Sequence, residues 1–150
     1  YYKSDGSLNF KNIYKNDEKG NLIEYNRYNS DGSLDNKDTY KYDKKGNEIE
    51  HNQYNSDGSL NFKNTYKYDR KGNRIERILY QSDGSLHKKY ILKYDRKGNL
   101  IEGNEYKSDG SLKSKYTIKY EFDKTNNWIK KIEYKDGIPK YITEREFEYY

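Results

Sequence analysis

The sequence predicts an all-β fold, an antiparallel β-meander repeat array with two strands per 26-residue repeat, laid out as a single curled or twisted sheet. Three observations carry that expectation. Ser-Asp-Gly-Ser-Leu recurs at a fixed spacing of 26 residues, beginning at Ser4, Ser30, Ser56, Ser82 and Ser108. A second marker keeps the same interval: Asp17-Glu-Lys-Gly-Asn21, Asp43-Lys-Lys-Gly-Asn47, Asp69-Arg-Lys-Gly-Asn73 and Asp95-Arg-Lys-Gly-Asn99. Between the markers lie runs of Tyr, Ile, Leu and Thr with no Ala anywhere, which leaves a helix little to nucleate on. A fixed period of this size means one supersecondary unit stacked on copies of itself.

Composition bounds the class. Of 150 residues only 31% are hydrophobic, and 20 of those hydrophobic residues are Tyr. A charged fraction of 37% would point towards disorder, but 17% aromatic residues point the other way, because disordered chains are poor in aromatics. There is no Cys, so neither a disulfide framework nor thiolate chemistry is available. No apolar run approaches the length of a membrane span.

The elements follow in order within each repeat. In the third, Leu60 to Tyr68 alternates: Leu60, Phe62, Tyr66 and Tyr68 fall on one face, Asn61, Lys63, Thr65 and Lys67 on the other. That is the period of a half-buried strand. The run Asn73 to Tyr80 is the second strand, and the whole chain then holds about eleven. Ser-Asp-Gly reads as a tight hairpin connection, and Asp-Lys-Lys-Gly-Asn needs a residue at positive φ where Gly costs least. In the fifth repeat Asn126 stands in the Gly position, and Asn is the next most tolerant residue there.

Cross-strand chemistry sets the expected register. A four-residue loop, 70–73, pairs Tyr68 with Ile75 and Lys67 with Glu76. The same offset pairs Lys15 with Glu24, Lys41 with Glu50 and Lys93 with Glu102, and each such pair contributes ~0.2–1 kcal/mol. At the other turn Tyr80 is expected opposite Leu86 on a buried face. Ile75 and Tyr80 both face inward only if a β-bulge lies between them, near Arg77 to Leu79. At the ends, Tyr2 aligns with the Tyr28 column as the tail of a preceding strand. Residues 134–150, with the charged run 141–149, are expected to be a C-terminal capping strand. The five repeats are read as one domain spanning 1–150.

Around Gly58-x7-Tyr66-Lys-Tyr68-Asp69-x2-Gly72-Asn73 the chain resembles the RHS or YD repeat family, whose core is Tyr-x-Tyr-Asp-x-x-Gly. The Tyr-x-Tyr-Asp is complete at Tyr40 to Asp43 and Tyr66 to Asp69, and partial at Tyr14 to Asp17, Leu92 to Asp95 and Tyr120 to Asp123. The resemblance implies a segment of a twisting β-sheet that spirals into a hollow shell, as in bacterial polymorphic toxins, insecticidal toxin complexes and teneurins.

Candidate chemistry is sparse. His51 and His87 occupy unrelated repeat positions and are read as surface residues, so neither a catalytic nor a metal site is expected, and no cofactor. Asp5, Asp31, Asp57, Asp83 and Asp109 lack the rest of a calcium loop and read as turn residues. Two Lys columns, at 11, 37, 63, 89, 115 and at 15, 41, 67, 93, 119, share the polar face of the first strands. Tyr28, Tyr54, Tyr80 and Tyr106 form an aromatic column ending the second strands. The candidate ligand surface is therefore Lys41, Lys67 and Lys93 with Tyr28, Tyr54, Tyr80 and Tyr106. It suits a glycan or another polyanion, against the simpler readings of a solvated Lys face and Tyr rings packing over a thin core. A net charge of +5 and the absence of a nucleic-acid-binding motif argue against a specific nucleic-acid role. The expected function is non-enzymatic: a structural or adhesive repeat of a bacterial secreted or cell-surface protein, with self-association through a sheet edge as a further partner mode. A carbohydrate-binding module and a toxin-shell wall segment are the alternatives.

Overall fold

The computed structural model describes residues 8–148; the first Ser-Asp-Gly-Ser-Leu copy, up to Ser7, and the Tyr2 alignment lie outside them. Eleven strands follow in chain order: β1 (Phe10–Asn16), β2 (Leu22–Asn29), β3 (Leu34–Tyr42), β4 (Glu48–Asn55), β5 (Leu60–Tyr68), β6 (Arg74–Tyr80), β7 (Leu86–Tyr94), β8 (Leu100–Tyr106), β9 (Leu112–Phe122), β10 (Trp128–Lys135) and β11 (Ile138–Glu144). They form one open antiparallel meander in the order β1 to β11, with two strands to each repeat. No helix long and apolar enough to cross a membrane occurs among the described residues. The chain forms two compact units, residues 1–87 and 88–150.

Turn chemistry sets the register within each unit. In the Asp-x-x-Gly-Asn turn the Asp69 N–H donates to the Asn73 carbonyl at 2.9 Å and the Gly72 N–H to the Asp69 carbonyl at 3.2 Å. Gly72 sits at φ 89°. This is a three-residue loop, a type I turn followed by a left-handed Gly. The Asp69 carboxylate fastens it, Oδ1 accepting from the Lys71 and Asn73 N–H groups and Oδ2 from the Asn73 amide. The Ser-Asp-Gly turn has the same backbone plan, with Asn55 N–H donating to Ser59 O and Gly58 N–H to Asn55 O. There Asp57 Oδ1 accepts from both the Ser59 N–H and hydroxyl. Asn126 takes φ 66° in the place of Gly, as the fifth repeat requires.

The observed loop holds three residues where four are expected, so Tyr68 faces Arg74 and not Ile75. Lys67 nevertheless meets Glu76, because Ile75 is left unpaired as a bulge that restores the offset. Lys15–Glu24, Lys41–Glu50 and Lys93–Glu102 pair in the same way. The bulge therefore lies at the start of the second strand rather than near Arg77 to Leu79. Ile23, Ile49, Ile101 and Ile129 occupy the equivalent positions. A second bulge follows the Ser-Asp-Gly turn at the start of β3, β5 and β9: Tyr54 faces Leu60 and Gln53 faces Phe62, leaving Asn61 unpaired. Odd-length loops force these bulges, since one extra residue is needed to bring the ladder back into phase.

The second bulge also changes which side chains share a face. Directly opposed residues point to the same side. Tyr54 opposes Lys37 and Tyr80 opposes Lys63, so the Tyr column lies on the Lys/Glu face, and Leu60 lies there with it. The opposite face carries Phe62, Asn64, Tyr66 and Tyr68. The expected segregation of Leu, Ile and Tyr from Lys and Glu is thus incorrect. No hydrophobic side chain is buried among the described residues; the least exposed are Asn64, Ser114, Asp38, Asn52, Glu76 and Glu105. A single layer has no second layer to cover it, so burial comes only from lateral neighbours, and central polar groups with hydrogen-bond partners are the best shielded. The last strand also differs from expectation: β11 begins at Ile138 and ends at Glu144, and is exposed along its length. Its start is fixed by Asp136 and Gly137, both at positive φ, which make a two-residue hairpin turn.

Candidate functional site

On the Lys/Glu face Glu24, Glu50, Glu76 and Glu102 each anchor an ion-pair rung set by strand register, whereas in the fifth repeat Lys119 faces Ile132. Glu50 on β4 receives Lys41 from β3 at 2.8 Å and Lys63 from β5 at 2.7 Å. Its Oε1 also accepts from the Asn52 amide at 3.0 Å. Glu102 repeats the arrangement with Lys93 at 2.8 Å, Lys115 at 2.9 Å and Asn104 at 3.0 Å. Lys37–Glu24 and Lys67–Glu76 close at 2.8 and 2.7 Å. Burial alone would raise the Glu50 carboxyl, but hydrogen bonds from Lys41, Lys63 and Asn52 outweigh it and take it down to about 2. The Lys93 hydrogen bond, then those of Lys115 and Asn104, take Glu102 down to about 2 as well. The Lys41, Lys67 and Lys93 ammonium groups are held above their ordinary value, first by the hydrogen bond each makes to its Glu.

The candidate surface residues separate into two rows of this face. Tyr28, Tyr54, Tyr80 and Tyr106 are half-buried and oppose Lys11, Lys37, Lys63 and Lys89. Lys41, Lys67 and Lys93 stand four residues further along their strands, opposite Glu50, Glu76 and Glu102. Tyr and Lys columns therefore do adjoin, but the Lys column beside the Tyr rings is the other one.

The opposite face holds what sequence reasoning missed. Tyr42, Tyr68 and Tyr120 donate their hydroxyls to the carbonyls of Leu22, Glu48 and Leu100, at 2.8, 2.9 and 3.2 Å. Each carbonyl belongs to the residue just before a bulged Ile, twenty positions back. The final Tyr of Tyr-x-Tyr-Asp at 42 and 68, and the first at 120, thus fastens one repeat to the disrupted ladder of the previous one. Burial raises the Tyr42, Tyr68 and Tyr120 phenols, and pushes Tyr40 up to about 12.

His51 is not a plain surface residue. Its Nε2 lies 2.6 Å from Asp38 Oδ1, and its ring stacks on Tyr40 at 4.6 Å and meets Phe62 edge-on at 5.2 Å. The signal was available: Tyr25, His51 and Arg77 share one repeat position, each reaching a polar residue thirteen back, Asn12, Asp38 and Asn64. His87 is exposed. Among the described residues no group of three or more His, Cys, Asp and Glu side chains is arranged to hold a metal ion.

Two grooves of about 640 and 610 Å³ open beside the Asp-x-x-Gly-Asn turns. The first is floored by Ile23, Ile49, Tyr40 and Tyr42, and the second by Ile49, Ile75, Tyr66 and Tyr68.

No curated protein matches the chain. A family described as "Protein of unknown function (DUF2963)" matches residues 61–102. Among solved structures, the chain is similar to a protein with unknown function from Bacteroides fragilis, at 17% identity and a TM-score of 0.45, covering 95% of this chain and 96% of that one. It is similar to a porin-like protein from Bacteroides uniformis at 18% identity and a TM-score of 0.43, covering 85% of this chain and 50% of that one. The Photorhabdus luminescens Tc holotoxin pore is similar at 15% identity and a TM-score of 0.30, with 89% of this chain covering 9% of that one. The chain itself is a β-repeat protein, and its repeating surface is its principal chemical feature.

Proposed function

We propose that this chain is a non-enzymatic structural or adhesive element of a bacterial secreted or cell-surface protein. The observation that supports this reading best is the single layer, in which the Tyr column and the Lys–Glu rungs of β3 to β8 return every two strands. Such a surface makes weak contacts many times over, and multivalency turns them into avidity. Light scattering with small-angle X-ray scattering tests it. Assembly that grows with concentration supports a structural element working through its edges. A monomer at every concentration that neither assembles nor adheres to any cell-envelope preparation overturns the proposal.

A carbohydrate-binding module is the second reading, favoured by the opposition of Lys37 to Tyr54 and of Lys63 to Tyr80. Alanine at Tyr54 and Tyr80 separates the two. Lost glycan binding with an intact fold supports a site, and lost folding supports a packing role. A toxin-shell wall segment rests on the Tyr-x-Tyr-Asp resemblance and requires many more repeats and a C-terminal cargo domain in the gene.

A further inference from the structure

We infer that the row of grooves beside the Asp-x-x-Gly-Asn turns is a binding track for an extended acidic glycan, with its strongest subsite between the turns at 43–47 and 69–73. The inference rests on the adhesive reading and supplies its ligand class.

The two grooves are the same site written twice. Every residue lining the first has its counterpart twenty-six positions on in the second: Tyr40 and Tyr66, Tyr42 and Tyr68, Ile49 and Ile75, Lys44 and Arg70. Asp43, Lys44 and Ile49 line both, so the grooves are contiguous. One repeat is two strands, so the subsites recur every ~9.5 Å. A matching ligand is a linear polymer bearing an anionic group at a comparable interval, as a polysaccharide with a two-sugar repeat does.

The floor and walls are held rigid. The Tyr42 and Tyr68 hydroxyls are committed to backbone carbonyls, which fixes their rings. Lys45 Nζ donates to the Arg70 carbonyl at 3.0 Å, tying one turn to the next. Fixed aromatic and Ile surface suits the apolar face of a sugar.

Charge decides the sign of the ligand. The Asp43 carboxylate is turned into its own turn, accepting from the Lys45 N–H and from the Asn47 N–H and amide. Asp69 does the same. Lys44 and Arg70 make no ion pair among the described residues, in contrast to Lys41, Lys63 and Lys67 of the Lys/Glu face, each paired with a Glu. Glu18 takes the equivalent rim position in the first groove, so its rim is mixed while that of the second is cationic.

The test titrates the whole chain at low salt with hyaluronate oligosaccharides and chondroitin sulfate, both of two-sugar repeat, beside neutral dextran and oligo-dT. Circular dichroism verifies folding of each variant. The acidic glycans are expected to bind, neutral dextran not to, and oligo-dT to bind more weakly. Lys44→Glu with Arg70→Glu is expected to weaken glycan binding at least about tenfold, through charge reversal at the rim. Lys63→Gln, on the Lys/Glu face, is expected to leave it within about twofold. Equal binding by oligo-dT, or unchanged binding in the double variant, overturns the track. Loss through Lys63→Gln alone moves the site to the other face and keeps the adhesive reading. If no acidic glycan binds, the track falls, while the scattering experiment still judges the adhesive reading separately.

Discussion

Replacing Glu50 by Gln removes one negative charge and leaves the shape nearly unchanged. Two ammonium groups then face each other across β4, where Lys41 and Lys63 now sit 2.8 and 2.7 Å from the carboxylate. The Glu50 side chain is only 16% exposed, so its pairs are less screened than ordinary surface bridges. Surface ion pairs contribute roughly 0.2–1 kcal/mol each, and a shielded carboxylate with two of them lies near the top of that range. The expected loss at pH 7 is about 1–2 kcal/mol. The pH dependence identifies its origin. Glu50 titrates at about 2 in the fold against an ordinary value of 4.5. As pH falls from 4.5, the unfolded chain takes up the proton first, and the stabilisation is lost between 4.5 and about 2. Urea titration followed by circular dichroism measures this, because urea adds no ions of its own. The gap between parent and Glu50→Gln is expected to be full above pH 5 or so and to close near pH 2. An equal gap at pH 7 and pH 2, or no gap at pH 7 in low salt, would refute the ion-pair argument and assign the effect to packing.

Three further outcomes follow from geometry already given. Gly72→Ala is expected to cost about 1–2 kcal/mol in urea, although no atom lies within 4 Å of an added Cβ, because the cost is that of φ 89° for an L-residue. Gly72→Asn is expected to cost clearly less, as Asn126 already shows, and equal losses in the two variants sink the argument. Tyr68→Phe is expected to lose about 1 kcal/mol by freeing the Glu48 carbonyl beside its bulge, with faster amide exchange around Ile49; unchanged exchange there counts against the clamp. His51→Ala leaves the Asp38 carboxylate, among the described residues, the Gln53 amide at 3.4 Å, for an expected loss of about 1–3 kcal/mol. A double-mutant cycle with Asp38→Asn is then expected to show non-additivity above ~0.5 kcal/mol, and strict additivity denies the contact.

Period, turn residues and Lys–Glu pairing make most of the fold legible in the sequence. β5 occupies the span read for it, and Lys67 meets Glu76 as expected. Where the reading failed, the cause is local. Three-residue and four-residue loops use the same Asp-x-x-Gly-Asn letters, and a bulge at Ile75 hides the difference from every pair beyond it. Asn61 flips Leu60 to the other face, which alternation alone could not reveal. The assumption of a buried apolar face came from two-layer proteins and fails for a sheet whose central positions are Asn64 and Asp38. The candidate surface was legible as columns but not as neighbours: which Lys column borders the Tyr rings depends on that same bulge. The grooves were illegible, because they combine Tyr and Ile from three strands with the rims of two turns.

A sheet that fully buries no hydrophobic side chain among its described residues has a distinct thermal character. Heat capacity rises on unfolding because apolar surface meets water, by ~12–15 cal/mol/K per residue in ordinary domains. Here the apolar side chains stay half-buried rather than fully buried in the folded state, so the increment is expected to fall below that range and the curve of stability against temperature to be flatter. Copying a unit adds its own hydrogen bonds and ion pairs without reopening any interior, so a lineage can lengthen or shorten the array twenty-six residues at a time and keep every rung in register.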